Sequence, residues 1–358
     1  MKSVLVVFGG VSSEHDISCI SATSVLRNIP QDKYNVYMLG ITKDGKSYLY
    51  EGTVENIEND GWLSDESKLK RAVISPSRAD HGVIILDGDT AETVYIDVCF
   101  PVMHGKNGED GTMQGLLTVA GIPFVGCGTM ASAVCMDKAI TNSICDVNGI
   151  AQAKWLYITK YDFEKNGREF VEKCAEYLGF PCFVKPANAG SSVGVRKSGD
   201  VNSLYEDLKY ALSFDSRVVV EEGIVGAEVE SAVMGNDELF VGAVGEIVPC
   251  NEFYDFEAKY IDGSTALHIP ARISAEKQEE IKSIAKKAYK AFGCSGLARI
   301  DFFVRESDGA VLLNEPNTIP GFTSISMYPM LMREAGIAYP DLIDKLLQLA
   351  IDRQEEEK

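Results

Sequence analysis

The sequence predicts an α/β fold that is divided into two or three domains. The chain has 358 residues, and at roughly 150 residues per domain this length provides a core for more than one. It opens with a strand, a glycine-containing loop and a helix, and strands and helices go on alternating. Two later segments have apolar runs on either side of glycine-containing turns, which predicts antiparallel hairpins.

Composition and charge restrict the class of partner. Hydrophobic residues make up 46% of the chain, the formal net charge is -19 and the pI is near 4.7. Nucleic-acid and acidic-membrane surfaces require clustered Lys and Arg, so neither is an expected partner. The nine cysteines are odd in number and never spaced as CxxC, which favours reduced thiols. The apolar run Val4–Phe8 is too short for a signal-peptide core, and no run approaches the roughly 18 residues of a membrane span. We therefore expect a cytoplasmic protein.

The first element is a buried strand from Ser3 to Phe8. Two glycines then lead into the polar loop VSSEHD and a helix. Loops at the carboxyl ends of strands bind ligands in open α/β sheets, so Glu14 and His15 are candidate ligand contacts. Helix capping is the alternative interpretation, with Ser13 as the N-cap and Asp16 interacting with the helix dipole.

The rest of the first domain contains one informative side chain. A strand is predicted from Tyr34 to Thr42, and the polar region from Lys43 to Thr93 predicts a hairpin and surface excursions. A third strand, Val94–Val102, runs into the glycine-rich loop HGKNGEDG, which begins at His104. This histidine follows a strand end and is a candidate ligand contact, although isolated histidines are often structural. A short strand, Ile122–Cys127, completes the domain.

A second unit begins with a helix from Thr129 to about Val147, which carries Asp137 and Lys138. A strand, Trp155–Thr159, and a helix, Asp162–Leu178, follow. After them the segment FPCFVKPANAGSSVGVRKS predicts a glycine-rich hairpin.

This glycine-rich hairpin is a candidate phosphate-binding element. It lacks the GxxxxGK[ST] spacing of a Walker loop. Its glycines allow close backbone approach to a phosphate, Ser191 and Ser192 provide hydroxyl donors, and Lys185 provides positive charge. A flexible surface hairpin is the alternative.

A helix, Val201–Phe214, precedes a strand from Arg217 to Gly235 that carries Glu221, Glu222 and Glu228. A carboxylate accepts hydrogen bonds from a sugar diol, so this strand is a candidate nucleoside contact. Alone, the signal is weak.

The segment Cys250–Pro270 is polar, aromatic and without period, which is typical of an ordered functional loop over a substrate. Lys259 and Tyr260 are its chemically useful members. A helix, Ser274–Phe292, follows, and two amphipathic helices close the chain, Tyr328–Ala335 and Pro340–Arg353.

The stretch from Gly296 to Met327 predicts the central hairpin of the protein. Two apolar runs flank Ser307–Gly309, and a three-residue loop with glycine in the left-handed position is a common hairpin connection. We expect Glu306 and Ala310 to close this loop. The polar turn NTIPGFTS follows the second strand directly.

The expected register places Asp301 opposite Glu315 and Arg299 opposite Asn317. All four then share a face, because alternate residues of a strand point the same way. Two opposed carboxylates repel each other and require a cation, and Mg²⁺ prefers such hard oxygen ligands. The alternative is a solvated hairpin face with incidental charges.

Several stretches together resemble the D-alanine:D-alanine ligase family of the ATP-grasp superfamily over nearly the whole chain. The matching pieces are FGGVSSEHDIS, HGKNGEDGTMQG, MDK, VKPANAGSSVGV, YDFEAKY, ARIDFF and NEPNTIPGFTSISMYP. The resemblance implies three domains, 1–138, 139–229 and 230–358, with an α+β ATP-grasp part that holds ATP between the central and C-terminal sheets. Two departures are visible, Pro316 in place of an aliphatic residue and Phe256 in place of a common tyrosine.

Residue by residue, the resemblance implies a complete set of roles. The implied ATP contacts are Lys138, Lys185, Ser191, Ser192, Glu221, Glu222, Glu228 and Lys259. The implied ligands of two Mg²⁺ ions, which Mn²⁺ could replace, are Asp301, Glu315 and Asn317. Glu14 and His104 resemble first-D-alanine contacts, Ser326 and Met327 the second D-alanine site. Glu14, Ser191 and Tyr260 resemble a hydrogen-bonded triad, and Arg299 with the Gly321 amide resembles the oxyanion-stabilising pair.

The activity implied is ATP-dependent joining of two D-alanine molecules through an acyl phosphate, for peptidoglycan precursors, by a cytoplasmic homodimer. Met327 is apolar, where relatives that make D-serine or D-lactate products commonly carry arginine, and this favours D-alanine as the second substrate. A D-alanine:D-serine or D-lactate ligase is the nearest alternative. A non-catalytic nucleotide-binding relative and a bicarbonate-using carboxylase are more distant ones, opposed by the complete set of ligands and by the SSEHD and YDFEAKY loops.

Overall fold

The computed structural model describes residues 1–248 and 266–356. Their strands are β1 Lys2–Gly9, β2 Tyr34–Ile41, β3 Ser47–Tyr50, β4 Leu69–Ile74, β5 Gly82–Asp87, β6 Thr90–Tyr95, β7 Val98–Pro101, β8 Trp155–Thr159, β9 Cys182–Pro186, β10 Arg196–Ser198, β11 Arg217–Glu222, β12 Gly226–Gly235, β13 Phe240–Val248, β14 Ala266–His268, β15 Gly296–Arg305 and β16 Val311–Asn317. Their α-helices are α1 His15–Asn28, α2 Glu55–Glu58, α3 Thr112–Ala120, α4 Thr129–Met136, α5 Lys138–Asn148, α6 Lys160–Tyr177, α7 Val201–Ala211, α8 Ala275–Ala291, α9 Met327–Glu334 and α10 Tyr339–Glu356. Two short 3₁₀ turns cover Gly61–Ser64 and Glu66–Lys68.

The N-terminal sheet has seven strands in the order β6-β5-β4-β3-β2-β1-β7. β1 is parallel to β2 and β7, and its side chains are buried on both faces because Val4 and Val6 enter one apolar cluster while Leu5 and Val7 enter another. The hairpin expected in the region 43–93 is present as β5 and β6, but the expected surface excursions are wrong, because β3 to β6 all belong to this sheet. The predicted strand Ile122–Cys127 is wrong, since its pairing is one isolated bridge between Cys99 and Phe124.

The predicted helix from 129 to 147 is interrupted at Asp137. This residue has extended backbone, and its carboxylate accepts hydrogen bonds from the N–H groups of Ala139 and Ile140 at 3.1 Å each. It therefore ends α4 and caps α5, as acidic N-cap residues do. Lys138 consequently lies at the start of a helix.

The second half contains two antiparallel sheets, with the orders β10-β9-β11-β8 and β14-β13-β12-β15-β16. The predicted strand Arg217–Gly235 is divided between them, because β11 ends at Glu222 and β12 begins at Gly226. The glycine-rich hairpin is present, with Arg196 paired to Val184 across β10 and β9.

The central hairpin has the predicted register at its functional end and a different one at its turn. Arg299 pairs with Asn317, and Asp301 pairs with Glu315. Nearer the turn, Val304 pairs with Val311, so the loop is longer than the three residues predicted. A bulge between Asp301 and Phe302, opposite which β16 carries the extra residue Asn314, accounts for the difference.

Two further expectations concern membrane spans and cysteines. None of the described helices is long and apolar enough to cross a membrane. The eight described cysteines are buried and form no disulfide with one another. Pro316, the departure noted above, lies in β16 at the edge of its sheet, a position that tolerates a missing N–H.

Candidate active site

One cavity of about 970 Å³ gathers the residues predicted from the sequence. Its lining includes fifteen of them: Glu14, His104, Lys138, Lys185, Ser191, Ser192, Glu221, Glu222, Glu228, Arg299, Glu315, Asn317, Gly321, Ser326 and Met327. Asp301 is buried next to this lining. Lys259, Tyr260 and Phe256 lie outside the described residues.

The hairpin face forms a compact charged cluster around Asp301. Arg299 donates to both Asp301 oxygens, from Nε at 2.8 Å and from Nη2 at 2.7 Å. Asn317 Nδ2 donates to the same carboxylate at 2.9 Å, and Arg299 Nε lies 2.9 Å from Glu230 Oε2. Asp301 and Glu230 are only 5% and 3% exposed, so Arg299 holds two buried carboxylates.

The donor set of this face fits a hard divalent cation. The Asp301 and Glu315 carboxylates lie on paired residues, and Asn317 provides an amide oxygen beside them. These are oxygen ligands of the kind that Mg²⁺ takes together with substrate phosphates. The Lys138 ammonium lies 3.9 Å from Glu315, so a positive charge stands beside the acidic face.

The cavity lining also contains a buried ion pair. Lys185 Nζ donates to Glu221 Oε2 at 2.7 Å, and Asn142 Nδ2 donates to Glu221 Oε1 at 3.1 Å. Burial lowers the pKa of Lys185, but Glu221, supported by Glu315 and Glu228, outweighs this and raises it overall. The raised pKa keeps the Lys185 ammonium group protonated near neutral pH.

The glycine-rich turn between β9 and β10 contacts the residue that precedes α1. Ser191 and Ser192 have left-handed backbone, with φ of 47° and 58°, which non-glycine residues rarely adopt. The Ser191 hydroxyl donates a short hydrogen bond to Glu14, which is 7% exposed. Gly105 makes room for that carboxylate, because a Cβ there would lie 2.1 Å from Glu14 Oε2. The interpretation of Ser13 as the helix cap is wrong, since Glu14 is the N-cap residue of α1.

His104 has both ring nitrogens engaged within the protein. Nδ1 donates to the Ile319 carbonyl at 3.0 Å, and Nε2 lies 3.0 Å from the Ser21 hydroxyl. The Ser21 oxygen also accepts from the Phe322 N–H at 3.3 Å, so its proton points to Nε2. Burial lowers the pKa of His104, consistent with a neutral ring.

The segment after the central hairpin contains three more of the predicted site residues, Gly321, Ser326 and Met327. Ser326 Oγ accepts from the Thr323 N–H at 3.0 Å, and a Cβ on Gly321 would lie 2.7 Å from the same oxygen. Ser326 is the N-cap residue of α9, and Met327, 5% exposed, is its first residue. Gly321, Ser326 and Met327 all line the cavity.

Some lining residues were not predicted. Glu230 follows Glu228 at strand spacing on β12, so the alternation of side chains could have indicated it. Glu109 stands in the glycine-rich loop after His104, and its contact with the Ile319 N–H spans 210 residues, which no local pattern indicates. Arg272 is held by Glu246 through Nε at 3.0 Å and Nη2 at 2.9 Å, and no sequence signal indicated this pair.

Comparisons with known proteins agree with this geometry. Family models described as D-ala D-ala ligase N-terminus and C-terminus match residues 3–127 and 144–348. The D-alanine--D-alanine ligase of Acetivibrio thermocellus is 50% identical, covering 98% of this chain and 96% of its own. That of Caldicellulosiruptor bescii is 47% identical, covering 99% and 96%.

The chain is also similar in fold to solved structures of ligases. The VanG D-Ala:D-Ser ligase from Enterococcus faecalis has a TM-score of 0.89 at 40% identity, covering 98% of this chain and 99% of its own. The D-alanine-D-alanine ligase from Coxiella burnetii has a TM-score of 0.86 at 32% identity, covering 100% and 97%.

The fold and the site define a ligase of the ATP-grasp class. The chain belongs to the D-alanine–D-alanine ligase family, which implies ATP and a divalent metal ion.

Proposed function

We propose that this protein joins two D-alanine molecules to give D-alanyl-D-alanine for peptidoglycan precursors, with hydrolysis of ATP to ADP and phosphate. The observation that carries the proposal is the joint lining of one cavity by two lysines, the acidic hairpin face and Glu14. Cations for a polyphosphate, ligands for a metal ion and a carboxylate for an ammonium group thus face a common space.

In the first step, the carboxylate of the first D-alanine attacks the γ-phosphate of ATP, giving D-alanyl phosphate and ADP. Lys138 and Lys185 bind the phosphates, and Glu14, positioned by Ser191, accepts from the substrate ammonium group. Phosphoryl transfer depends mainly on positioning and charge neutralisation, which these groups provide without a protein nucleophile. When bound, two Mg²⁺ ions held by Asp301, Glu315 and Asn317 would supply further neutralisation.

In the second step, the amine of the second D-alanine attacks the acyl carbon, and phosphate leaves as the tetrahedral adduct collapses. Arg299 and the Gly321 N–H would stabilise the oxyanion of this adduct, and loss of one such donor typically costs on the order of 100-fold in rate. Lys259 and Tyr260 would complete the site from a loop that excludes water.

The second substrate depends on the wall formed by Met327. An apolar side chain suits the methyl group of D-alanine and offers no donor to a hydroxyl. The likeness to the VanG D-Ala:D-Ser ligase supports a second candidate, in which D-serine takes this place. The buried methionine favours D-alanine.

Domain organisation and assembly form part of the same proposal. We infer three domains, 1–138, 139–229 and 230–358, in a cytoplasmic homodimer. The boundary at 229 falls inside β12, and residues 223–225 form the nearest connection between the two antiparallel sheets.

The test is ADP release measured with D-alanine, D-serine, D-lactate or bicarbonate, each with and without Mg²⁺, and with chromatography of the product. We expect ADP only when D-alanine and Mg²⁺ are both present, with D-alanyl-D-alanine as the product. Glu306→Gln, on the exposed hairpin turn, serves as a control that should behave as wild type. Turnover with bicarbonate alone would overturn the proposal, and ATP binding without turnover would indicate a non-catalytic relative.

A further inference from the structure

We propose that Glu109 is a positioning residue that holds the loop 318–322 in the geometry required for the second chemical step. The inference rests on the proposed function, because it concerns the Gly321 amide as an oxyanion donor. Glu109 belongs to the N-terminal part of the chain, whereas the loop follows β16 near the C-terminus. The residue would therefore join two distant segments directly at the reacting atoms.

The carboxylate of Glu109 accepts from two backbone N–H groups in two different loops. The Gly105 N–H donates to Oε2 at 2.8 Å, and the Ile319 N–H donates to Oε1 at 3.2 Å. The first contact closes the turn after β7, and the second reaches across 210 residues. One side chain thus ties the two loops to each other, because each of its two oxygens accepts from a different backbone N–H group.

The loop has two more contacts with the N-terminal domain. The Ile319 carbonyl accepts from His104 Nδ1 at 3.0 Å, and the Phe322 N–H donates to Ser21 Oγ at 3.3 Å. Both polar backbone groups of Ile319 and the N–H of Phe322 are consequently bound by residues of the first domain. Gly321 lies between these anchor points, so its amide direction depends on them.

The surroundings of Glu109 support a specific role over an incidental contact. It lines the cavity together with Glu14 and Gly321. Burial, followed by the nearby Glu14 charge, raises the pKa of Glu109 to about 8, while the Gly105 and Ile319 N–H groups act in the opposite direction. Both carboxyl oxygens are nevertheless engaged, one by each loop, in this buried position.

The chain offers a graded set of variants and a matched control. Glu109→Gln keeps one acceptor and turns an amide N–H₂ toward a backbone donor, and Glu109→Ala removes both acceptors. Asp110→Asn is the control, because Asp110 accepts from the Asn107 and Thr112 N–H groups of the same loop, at 2.8 and 3.0 Å, and makes neither contact of Glu109.

The readout must separate the two chemical steps. Positional isotope exchange of ¹⁸O-labelled ATP in the presence of D-alanine reports reversible formation of the acyl phosphate, and dipeptide formation reports both steps. We expect Glu109→Gln to lower dipeptide formation about 10-fold and Glu109→Ala about 100-fold, the scale of an impaired oxyanion donor. Isotope exchange and the KM for ATP should change by less than about threefold, because the ATP contacts remain.

Ser21→Ala provides a second variant that acts on the same loop from its other end. It should also lower dipeptide formation more than isotope exchange, whether or not Glu109→Ala folds. The inference is overturned if Glu109→Gln makes dipeptide at the wild-type rate, if isotope exchange falls in parallel with dipeptide, or if Asp110→Asn has the same effect. Absence of dipeptide from the wild-type protein would instead refute the proposed function.

Discussion

Replacing Arg299 by methionine tests the charged cluster of the central hairpin. This arginine makes two hydrogen bonds to Asp301 and one close contact to Glu230, and both carboxylates are nearly inaccessible to solvent. Methionine keeps apolar volume and removes all of the charge. The variant therefore leaves two buried carboxylates with Asn317 as the remaining donor identified above for Asp301.

The expected cost follows from this burial. Removing one partner of a buried ion pair destabilises a protein by about 4 kcal/mol, because the remaining charge stays desolvated. With an unfolding entropy of about 2.1 cal/mol/K per residue, a chain of this length loses roughly 5 °C in Tm if it unfolds as one unit. The loss of an oxyanion donor should lower kcat on the order of 100-fold or more.

The hairpin contains its own control. Arg305 makes the same two-hydrogen-bond contact with Asp308, at 2.9 and 2.7 Å, but the pair lies at the exposed turn. Exposed pairs contribute about 0 to 1 kcal/mol, so Arg305→Met should shift Tm by less than about 2 °C.

Calorimetry of both variants and wild type, with and without Mg²⁺, is the assay. A bound cation should neutralise the carboxylates that lose their arginine partner in Arg299→Met, so Mg²⁺ should raise the Tm of this variant more than that of wild type. If Arg299→Met unfolds at the same temperature as Arg305→Met, the cluster contributes nothing and the argument from buried charge is refuted.

Four further predictions follow from the site. Glu315→Gln should abolish Mg²⁺-dependent ADP release and leave Tm within about 2 °C of wild type, because this carboxylate is more exposed than Asp301; near-native turnover at saturating Mg²⁺ would contradict this. When D-alanine and D-serine compete at equal concentrations, D-serine should be used about 100-fold less than D-alanine. Met327→Arg should reduce this preference for D-alanine. Chromatograms dominated by D-alanyl-D-serine would instead identify D-serine as the second substrate. Because the pKa of Glu109 is raised to about 8, the folded state keeps a proton on this side chain at pH values where the unfolded state has released it. Thermal scans should therefore show the stability of wild type falling, relative to Glu109→Gln, as the pH rises from about 5 to 8. A difference in Tm between the two proteins that stays constant over this range would disprove the prediction. Proteolysis between Cys250 and Pro270 should slow when ATP and a phosphinate inhibitor are bound, and unchanged cleavage would oppose a covering loop.

The register predicted for the functional end of the hairpin is correct because a bulge compensates for the error in the predicted loop length. The predicted three-residue loop misplaced the pairs next to the turn by one residue. The extra residue Asn314 then shifts β16 by one residue before it reaches Glu315, so the pairing of Asp301 with Glu315 agrees with the prediction. Side-chain alternation indicates which residues share a face, whereas a bulge depends on twist and packing that a single sequence does not show.

The residues that were missed depend on contacts between distant segments. Glu109 acts on Ile319, 210 residues away, and no local pattern predicts such a pair. The break at Asp137 did have a local signal, because aspartate is a common N-cap residue, but the predicted helix ran through it. Helix propensity and hydrophobic periodicity depend on residues that are close in sequence. The Glu109 contact and the break at Asp137 depend on residues that are close only in the folded structure.

Because a bulge at Asn314 lies between the hairpin turn and the Asp301–Glu315 pair, the length of the turn need not determine how these two residues align. Residues 306–308 are exposed, and the distortion lies between this turn and the acidic pair, where it can absorb a change in strand offset. Segments inserted at Ser307 would extend into solvent, since each doubling of loop length adds only about 0.6 kcal/mol of closure entropy. This turn is consequently a suitable place to attach an affinity tag or a fluorescent reporter that leaves the ligase active.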